Sequence, residues 1–313
     1  MKGHFLLNLM VGLTLGALGT RSLAQQVPAA NGIPARMVVT VEARHGSDVP
    51  VINREDVIVH EGRDRDQVTD WVPAQGVEAA LELFILLDDS SDTSLGTQLE
   101  AIRQFIEKQP TSAKIGIAYM QNGIARIEQN LTGDHSLAAK ALRIPLGIRG
   151  INASPYFSLS DLIKHWPQSN SRREVLMVSD GIDSYYGSGD LLDPYLAAAI
   201  EDAQRAGVLV SVIYNPGVGH YGHSYWRKYW GQVYLAQVAD ETGGESYYIG
   251  FNGPPVALAP YLDDLASRLN RQYLLSFLAK PQKKAGLQPV KLTTEVPNAD
   301  LVSADRVYVP AAR

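Results

Sequence analysis

Apolar and polar positions along the chain change their pattern near residue 79. Residues 80–87 form an almost unbroken apolar run that stops at Asp88, and a similar run at 174–178 stops before Ser179. Apolar runs without alternation are typical of strands that are buried on both faces of a sheet. The two runs therefore predict inner strands of a parallel sheet.

Segments with helical spacing separate these runs from further strands. Leu99, Ile102 and Phe105 recur on one helix face before Pro110 ends the segment. Further strands are predicted at 114–120, 124–131, 208–214 and 245–250, and further helices at 157–165, 194–205, 226–241 and 261–270. Strands that alternate with helices of this length predict an α/β fold whose mostly parallel sheet is covered on both faces.

Short alternating segments flank the α/β region. Residues 37–43 and 57–60 alternate apolar and polar side chains, as half-buried strands do. We therefore interpret residues 25–78 as an N-terminal β segment. Residues 273–279 and parts of a C-terminal extension, 281–313, are also β-like, and we expect the tail to return to strands that pair with the N-terminal unit.

The first 24 residues have the pattern of a secretory signal peptide. Lys2 precedes an apolar stretch at 5–18, and Ser22-Leu23-Ala24 is a small-x-small cleavage signature. The stretch is shorter than the roughly 20 residues that a membrane span needs, although an uncleaved anchor is the alternative. We expect an exported bacterial protein that is periplasmic, on the cell surface or secreted, and no later segment is predicted to span a membrane.

Composition and charge restrict the chemistry. The chain has 313 residues, with 28 Lys and Arg against 33 Asp and Glu, a formal net charge of -5 and no long basic run. Nucleic acid is therefore not expected as a partner, because phosphate backbones are bound through clustered Lys and Arg. The sequence has no Cys, which excludes disulfides, thiolate nucleophiles and Cys-ligated zinc. A metal ion would need oxygen or imidazole ligands.

Polar side chains follow the buried strands at the points where a parallel sheet binds its ligands. Asp88 ends one predicted strand and is closely followed by Ser90. Asp180 comes directly after another strand, and Ser154 precedes a predicted helix. Ligands of open α/β sheets bind outside the carboxyl ends of the strands, and hard oxygen ligands suit Mg²⁺. Asp and Ser after strands are also ordinary helix N-caps, so the residues alone leave both interpretations open.

Two motifs resemble the von Willebrand factor type A domain. They are F-I-L-L-D-D-S-S-D at 84–92 and L-M-V-S-D-G at 176–181, and the resemblance covers residues 79–280. It implies a Rossmann-like, doubly wound fold with a metal-ion-dependent adhesion site. The implied ligands of Mg²⁺ or Mn²⁺, with Ca²⁺ as an alternative, are Asp88, Ser90, Asp92, Ser154 and Asp180.

This match departs from the family motif at two of its positions. Asp92 stands where the family has a second Ser, and Ser154 stands where it has a Thr. A register that begins at Asp89 restores the last hydroxyl at Thr93, but it places the charged Asp88 where the family has an apolar residue. We therefore prefer the register that begins at Asp88.

A glycine motif and the aromatic residues around it raise two other possibilities, a dinucleotide site and an aromatic contact surface. Residues 217–222 match G-x-G-x-x-G, but the motif follows a late strand and no acid ends the next one. We therefore do not expect a dinucleotide. Tyr and Trp residues at 221–230 are either a contact surface or a stripe packed on the sheet.

These observations favour an exported binding module over an enzyme, since the sequence has neither a Walker loop nor an H-E-x-x-H motif. We expect a divalent cation at the sheet edge to bind a carboxylate of a protein partner. The alternative is a structural or assembly component of the cell envelope with a degenerate, metal-free site.

Overall fold

A computed structural model of the chain describes residues 32–91, 93–148, 150–187, 193–216, 225–248 and 257–312. Three features of the sequence analysis lie outside the described residues: the expected signal peptide at 1–24, Asp92, and the glycine motif at 217–222.

The strands within the described ranges are β1 (Ile33–Ala43), β2 (Val57–Glu61), β3 (Asp64–Pro73), β4 (Leu81–Asp88), β5 (Ala113–Gln121), β6 (Ile124–Thr132), β7 (Arg172–Ser179), β8 (Val208–Tyr214), β9 (Ser246–Tyr248), β10 (Gln272–Ala279), β11 (Gly286–Pro289), β12 (Lys291–Thr294), β13 (Ala299–Val302) and β14 (Arg306–Val309). The helices are α1 (Leu99–Glu107), α2 (His135–Lys140), α3 (Pro155–His165), α4 (Pro194–Ala206), α5 (Tyr225–Thr242) and α6 (Ala259–Leu269).

The central sheet has the strand order β6-β5-β4-β7-β8-β9. Its strands pair in parallel except for β6, which is an antiparallel edge strand. The chain builds β4, β5 and β6 outwards in one direction, and then crosses back to add β7, β8 and β9 in the other. The strand order therefore reverses between β4 and β7, the position at which open α/β sheets bind ligands. The predicted α/β fold is confirmed.

Helices cover both faces of this sheet because alternate side chains of its strands point to opposite sides. Leu83 and Ile85 pack with α1, α2 and α6, while Phe84 and Leu86 pack with α3, α4 and α5. Burying one such side chain stabilises the fold by about 1.5–3 kcal/mol. The unbroken apolar run at 80–87 is thus explained by burial on both faces.

A second, antiparallel sheet has the order β12-β2-β3-β10-β1-β13. The tail pairs with the N-terminal unit as expected. Strand β10 lies between β1 and β3, β13 pairs with β1, and β12 pairs with β2. The short β segments expected at the two ends are thus not separate, because with β10 they build one sheet of six strands. The end segments form one sheet with its own apolar core, which includes Val39, Val59, Leu275 and Phe277. The central strand β10 lies in the range first assigned to the α/β domain.

No helix among the described residues is long and apolar enough to cross a membrane.

Candidate functional site

Asp88 ends β4 at the switch point of the central sheet. Its carboxylate is buried and accepts hydrogen bonds at both oxygens. Oδ1 accepts from the backbone N (3.0 Å) and the Oγ (2.6 Å) of Ser90, and Oδ2 accepts from the Oγ of Ser179 on β7 (2.8 Å). Because β4 and β7 pair in parallel, the ends of the two predicted strands meet here. The site therefore holds a buried, oriented negative charge.

Ser154 is the N-cap of α3 and is also a group of the site. Its Oγ accepts from the backbone N of Phe157 (3.3 Å) and donates to Oδ2 of Asp183 (2.6 Å). A hydroxyl oxygen has two lone pairs, so one lone pair of Ser154 remains for a further ligand. The N-cap and the ligand interpretations of Ser154 are compatible.

Asp88, Ser90 and Ser154 line the same small cavity, which has a volume of about 10 Å³. This volume accommodates about one water molecule. Its other lining residues are Met120, Asn122, Gly123, Ile148, Ala153, Pro155, Ser158 and Ile182. The polar side-chain atoms of the three site residues are all oxygens, the ligand type that Mg²⁺ and Mn²⁺ prefer. The chemistry and the size of the cavity thus fit a small divalent cation.

Asp180 is buried directly after β7 but is not among the residues that line this cavity. Its Oδ1 accepts from the backbone N of Ile182 (2.9 Å). Burial, followed by the charge of Asp180, raises the pKa of Tyr214 on the neighbouring strand β8. Of the five residues implied by the family resemblance, three therefore share the cavity, Asp180 lies beside it, and Asp92 is outside the described residues.

Asp183 is a buried acid of this region that the sequence analysis did not identify. Besides the bond from Ser154, its Oδ1 accepts from the backbone N of Tyr185 (2.7 Å) and of Tyr186 (2.9 Å). The only sequence signal is that Asp183 follows Asp180 by three residues in the strand-end loop. Asp183 orients the Ser154 hydroxyl and adds a second negative charge close to the cavity.

Asp89 has a structural role in place of the ligand role that the second register would give it. Arg143 forms a paired contact with its carboxylate (Nη1 to Oδ1 2.6 Å, Nη2 to Oδ2 3.0 Å), and Gln121 Nε2 donates at 2.5 Å. Burial alone raises the pKa of Asp89, but the hydrogen bonds from Arg143, Gln121 and the backbone of Leu146 hold it below its usual value. This geometry favours the register that begins at Asp88.

The described residues contain no group of three or more His, Asp and Glu side chains placed to hold a metal ion together. Asp88 is the carboxylate among the described lining residues of the cavity, and the other oxygens are hydroxyls. A cation bound here would therefore depend on one acidic side chain and on waters or an external ligand.

The aromatic residues of α5 divide between the two interpretations. Trp230 and Tyr234 are buried against the central sheet, whereas Tyr225, Trp226 and Tyr229 are exposed. The helix therefore has both a packed aromatic stripe and an exposed aromatic surface.

No protein-family model matches the sequence, and a search of curated proteins found no match either. Among solved structures, the chain is similar to an aerotolerance-related membrane protein from Bacteroides fragilis, with 15% identity and a TM-score of 0.45, over 61% of this chain and 99% of that one. It is also similar to BatB from Bacteroides thetaiotaomicron, with 15% identity and a TM-score of 0.44, over 61% of this chain and 97% of that one.

A third similar structure is a von Willebrand factor type A protein from Catenulispora acidiphila. It has 12% identity and a TM-score of 0.45, and the match covers 92% of this chain and 76% of that one. Von Willebrand factor type A domains are thus among the solved structures that this chain is similar to, and they are the family that its two motifs resemble.

Proposed function

We propose that the chain is an exported protein-binding module that holds Mg²⁺ or Mn²⁺ at the edge of the central sheet and binds a carboxylate of a partner protein through the ion. The observation that carries this proposal is the cavity shared by Asp88, Ser90 and Ser154. It has room for one water molecule or one small ion, and one buried carboxylate lines it. Only one carboxylate lies among the described lining residues, so a bound dication would keep coordination positions for waters or for a carboxylate of a partner. This role is binding and not catalysis.

Each side chain would have a separate task in this site. Asp88 would supply the charged ligand, and Ser90 and Ser154 would supply neutral oxygens. Asp183, which accepts a hydrogen bond from the Ser154 hydroxyl (2.6 Å), would orient the free lone pair of that hydroxyl. Asp180 would act from beside the cavity, through water.

The test is a calorimetric titration of Mg²⁺ and Mn²⁺ into the wild-type chain and the Asp88→Asn variant. Thermal unfolding of both proteins is measured with and without each metal ion. Asn preserves the size of the side chain and its acceptor for Ser90, so the variant should fold and be at least as stable without metal. We expect saturable binding that stabilises the wild type and is absent in the variant. Asp263→Asn, which removes an exposed carboxylate, is the control. Equal metal affinity in Asp88→Asn would exclude the site.

A metal-free binding or envelope-assembly role is the second candidate. The observation that favours it is that both oxygens of Asp88 already accept hydrogen bonds from Ser90 and Ser179. A carboxylate satisfied in this way can remain buried without a cation. Absence of metal binding in the wild-type chain would favour this candidate.

A further inference from the structure

Four exposed aliphatic side chains lie close together in the sequence, and one of them borders the cavity. Ile144, Leu146, Ile148 and Ile151, together called the apolar rim, are 55%, 59%, 74% and 87% exposed. Ile148 also lines the cavity itself. Single exposed aliphatic residues are ordinary on a protein surface, whereas a cluster of them marks a binding surface.

Polar contacts anchor the backbone on both sides of the apolar rim. The ion pair of Arg143 with Asp89 fixes its beginning, and Asp89 also accepts from the backbone N of Leu146 (2.9 Å) and of Gly147 (2.9 Å). At the other end, the backbone N of Asn152 donates to the side chain of Asn122 (2.8 Å). These contacts fix the backbone at 146–147 and at 152, which reduces the entropy lost on binding.

Exposed aromatic side chains lie on the Ser154 side of the cavity. Tyr185 and Tyr186 are 52% and 41% exposed, and the carboxylate of Asp183 binds the backbone N of each. The backbone N of Ser184 donates to the carbonyl of Ala153 (2.8 Å), which ties this turn to the cavity wall. Tyr is enriched in protein interfaces. Exposed apolar or aromatic residues therefore accompany both Ile148 of the cavity wall and Asp183, which binds the Ser154 hydroxyl.

We infer that the partner at this site is a protein segment in which apolar side chains flank the acidic residue. That the partner presents an acid rests on the proposed function. That apolar side chains flank this acid rests on the apolar rim and the two tyrosines. The four rim side chains are aliphatic and exposed, so apolar neighbours of the acid would be desolvated against them. A lipid surface or a second copy of the chain would use the rim without needing an acid.

The experiment uses two libraries of displayed random peptides, one with a fixed central Asp and one with a fixed central Asn. Peptides that bind the full chain in the presence of Mg²⁺ are selected from each library. We expect enrichment of Leu, Ile, Val and Phe next to the Asp. A synthetic peptide of the enriched sequence should bind the Leu146→Ser/Ile151→Ser double variant, in which neither residue lines the cavity, at least about tenfold more weakly, a difference of 1.4 kcal/mol. Mg²⁺ affinity should be unchanged in that variant, and Val51→Ser, which changes an exposed aliphatic elsewhere, should bind the peptide normally.

The inference would be overturned if the selected peptides showed no apolar enrichment, or if the double variant bound the peptide as tightly as the wild type. It would also be overturned if no peptide bound and the rim instead mediated binding to phosphatidylcholine–phosphatidylglycerol vesicles or self-association in sedimentation velocity. Failure of the proposed function has a different signature. The Asn library would then yield binders as tight as the Asp library, and EDTA would not weaken them, while the apolar enrichment could still be scored.

Discussion

Asp66 on β3 is a buried carboxylate in an acidic environment. Its Oδ2 has no hydrogen-bond partner among the described residues. Burial first, and then the charges of Glu61 and Asp64, raise the pKa of Asp66 to about 6, while Lys280 opposes them. The carboxylate therefore destabilises the fold when it is ionised.

The sign of its pH dependence follows from linkage. Unfolded Asp has a pKa of about 3.9, so between this value and about 6 the folded chain holds a proton at Asp66 that the unfolded chain has released. The contribution of Asp66 to stability is therefore greatest below pH 4 and is lost as the pH rises through 6. We expect Asp66→Asn to raise the urea midpoint at pH 7.5 and to change it little at pH 4.

The matched control is Asp70→Asn, which removes an exposed carboxylate from the same strand. It should leave the urea midpoint nearly unchanged at both pH values, since substitutions at exposed positions away from buried groups have small effects. An increase in midpoint for Asp66→Asn that is equal at pH 4 and pH 7.5 would contradict the ionisation account.

Site residues differ in how far the sequence reveals them. Asp88 and Ser154 could be predicted because strand ends and helix N-caps are encoded by neighbouring residues. Asp183 could not, since its contact with Ser154 depends on how the turn after β7 folds back onto α3. Arg143 was missed for the same reason: its pairing with Asp89 joins residues that are distant in the sequence and carry no periodic signal.

At the scale of elements, α5 approaches the loop after β7 so closely that only glycine fits at the contact. A Cβ on Gly231 would lie 2.1 Å from the carbonyl oxygen of Asp180, and one on Gly181 would lie 2.2 Å from the carbonyl oxygen of Gly231. Gly181 also has a φ of 68°, which favours glycine. The two glycines let the helix backbone support the loop that carries Asp180.

We expect Gly231→Ala to destabilise the protein although Ala is the better helix former. Ala in a helix interior gains about 1 kcal/mol over Gly, but overpacking against backbone costs typically about 1–3 kcal/mol, occasionally more. Because the contact of 2.1 Å is with backbone, we expect the upper end of this cost and a net loss of about 2 kcal/mol in the free energy of unfolding, measured by urea denaturation. Gly133→Ala, whose Cβ would have no neighbour within 4 Å, should be neutral or slightly stabilising. A Gly231→Ala protein as stable as the wild type would show that α5 can shift away.

The elements that the sequence revealed least are those whose residues do not fit their local pattern. The strand β3 contains D-R-D-Q-V-T-D and is largely exposed, so it lacks the apolar alternation that identified β1. The helix α2 has six residues, too few for a helical repeat. By contrast, β4, β7 and β8 are buried throughout, and their apolar runs gave bounds close to those observed.

At the scale of the whole molecule, a buried polar network joins the two sheets. Gln272 on β10 accepts from Arg172 of β7 and donates from Nε2 to Oε1 of Glu174 (2.5 Å). Arg172 also donates to the carbonyls of Leu269 (3.0 Å) and Ala79 (3.2 Å). Removing one partner of a buried charged group is strongly destabilising, because the charge that remains is no longer compensated. The network therefore makes the stability of each sheet depend on the other.

Gln272→Leu should accordingly destabilise both sheets together. The substitution removes two buried hydrogen bonds to charged groups, each worth about 1.5–3 kcal/mol, so we expect a loss of about 3–6 kcal/mol. Fluorine NMR of 5-fluorotryptophan-labelled protein can follow urea unfolding at Trp71, stacked on Tyr273 of the antiparallel sheet, and at Trp166, packed on Phe84 of the central sheet. Both midpoints should decrease equally. Gln67→Leu, an exposed change on β3, should move neither, and a decrease at Trp71 alone would mean that the sheets unfold independently.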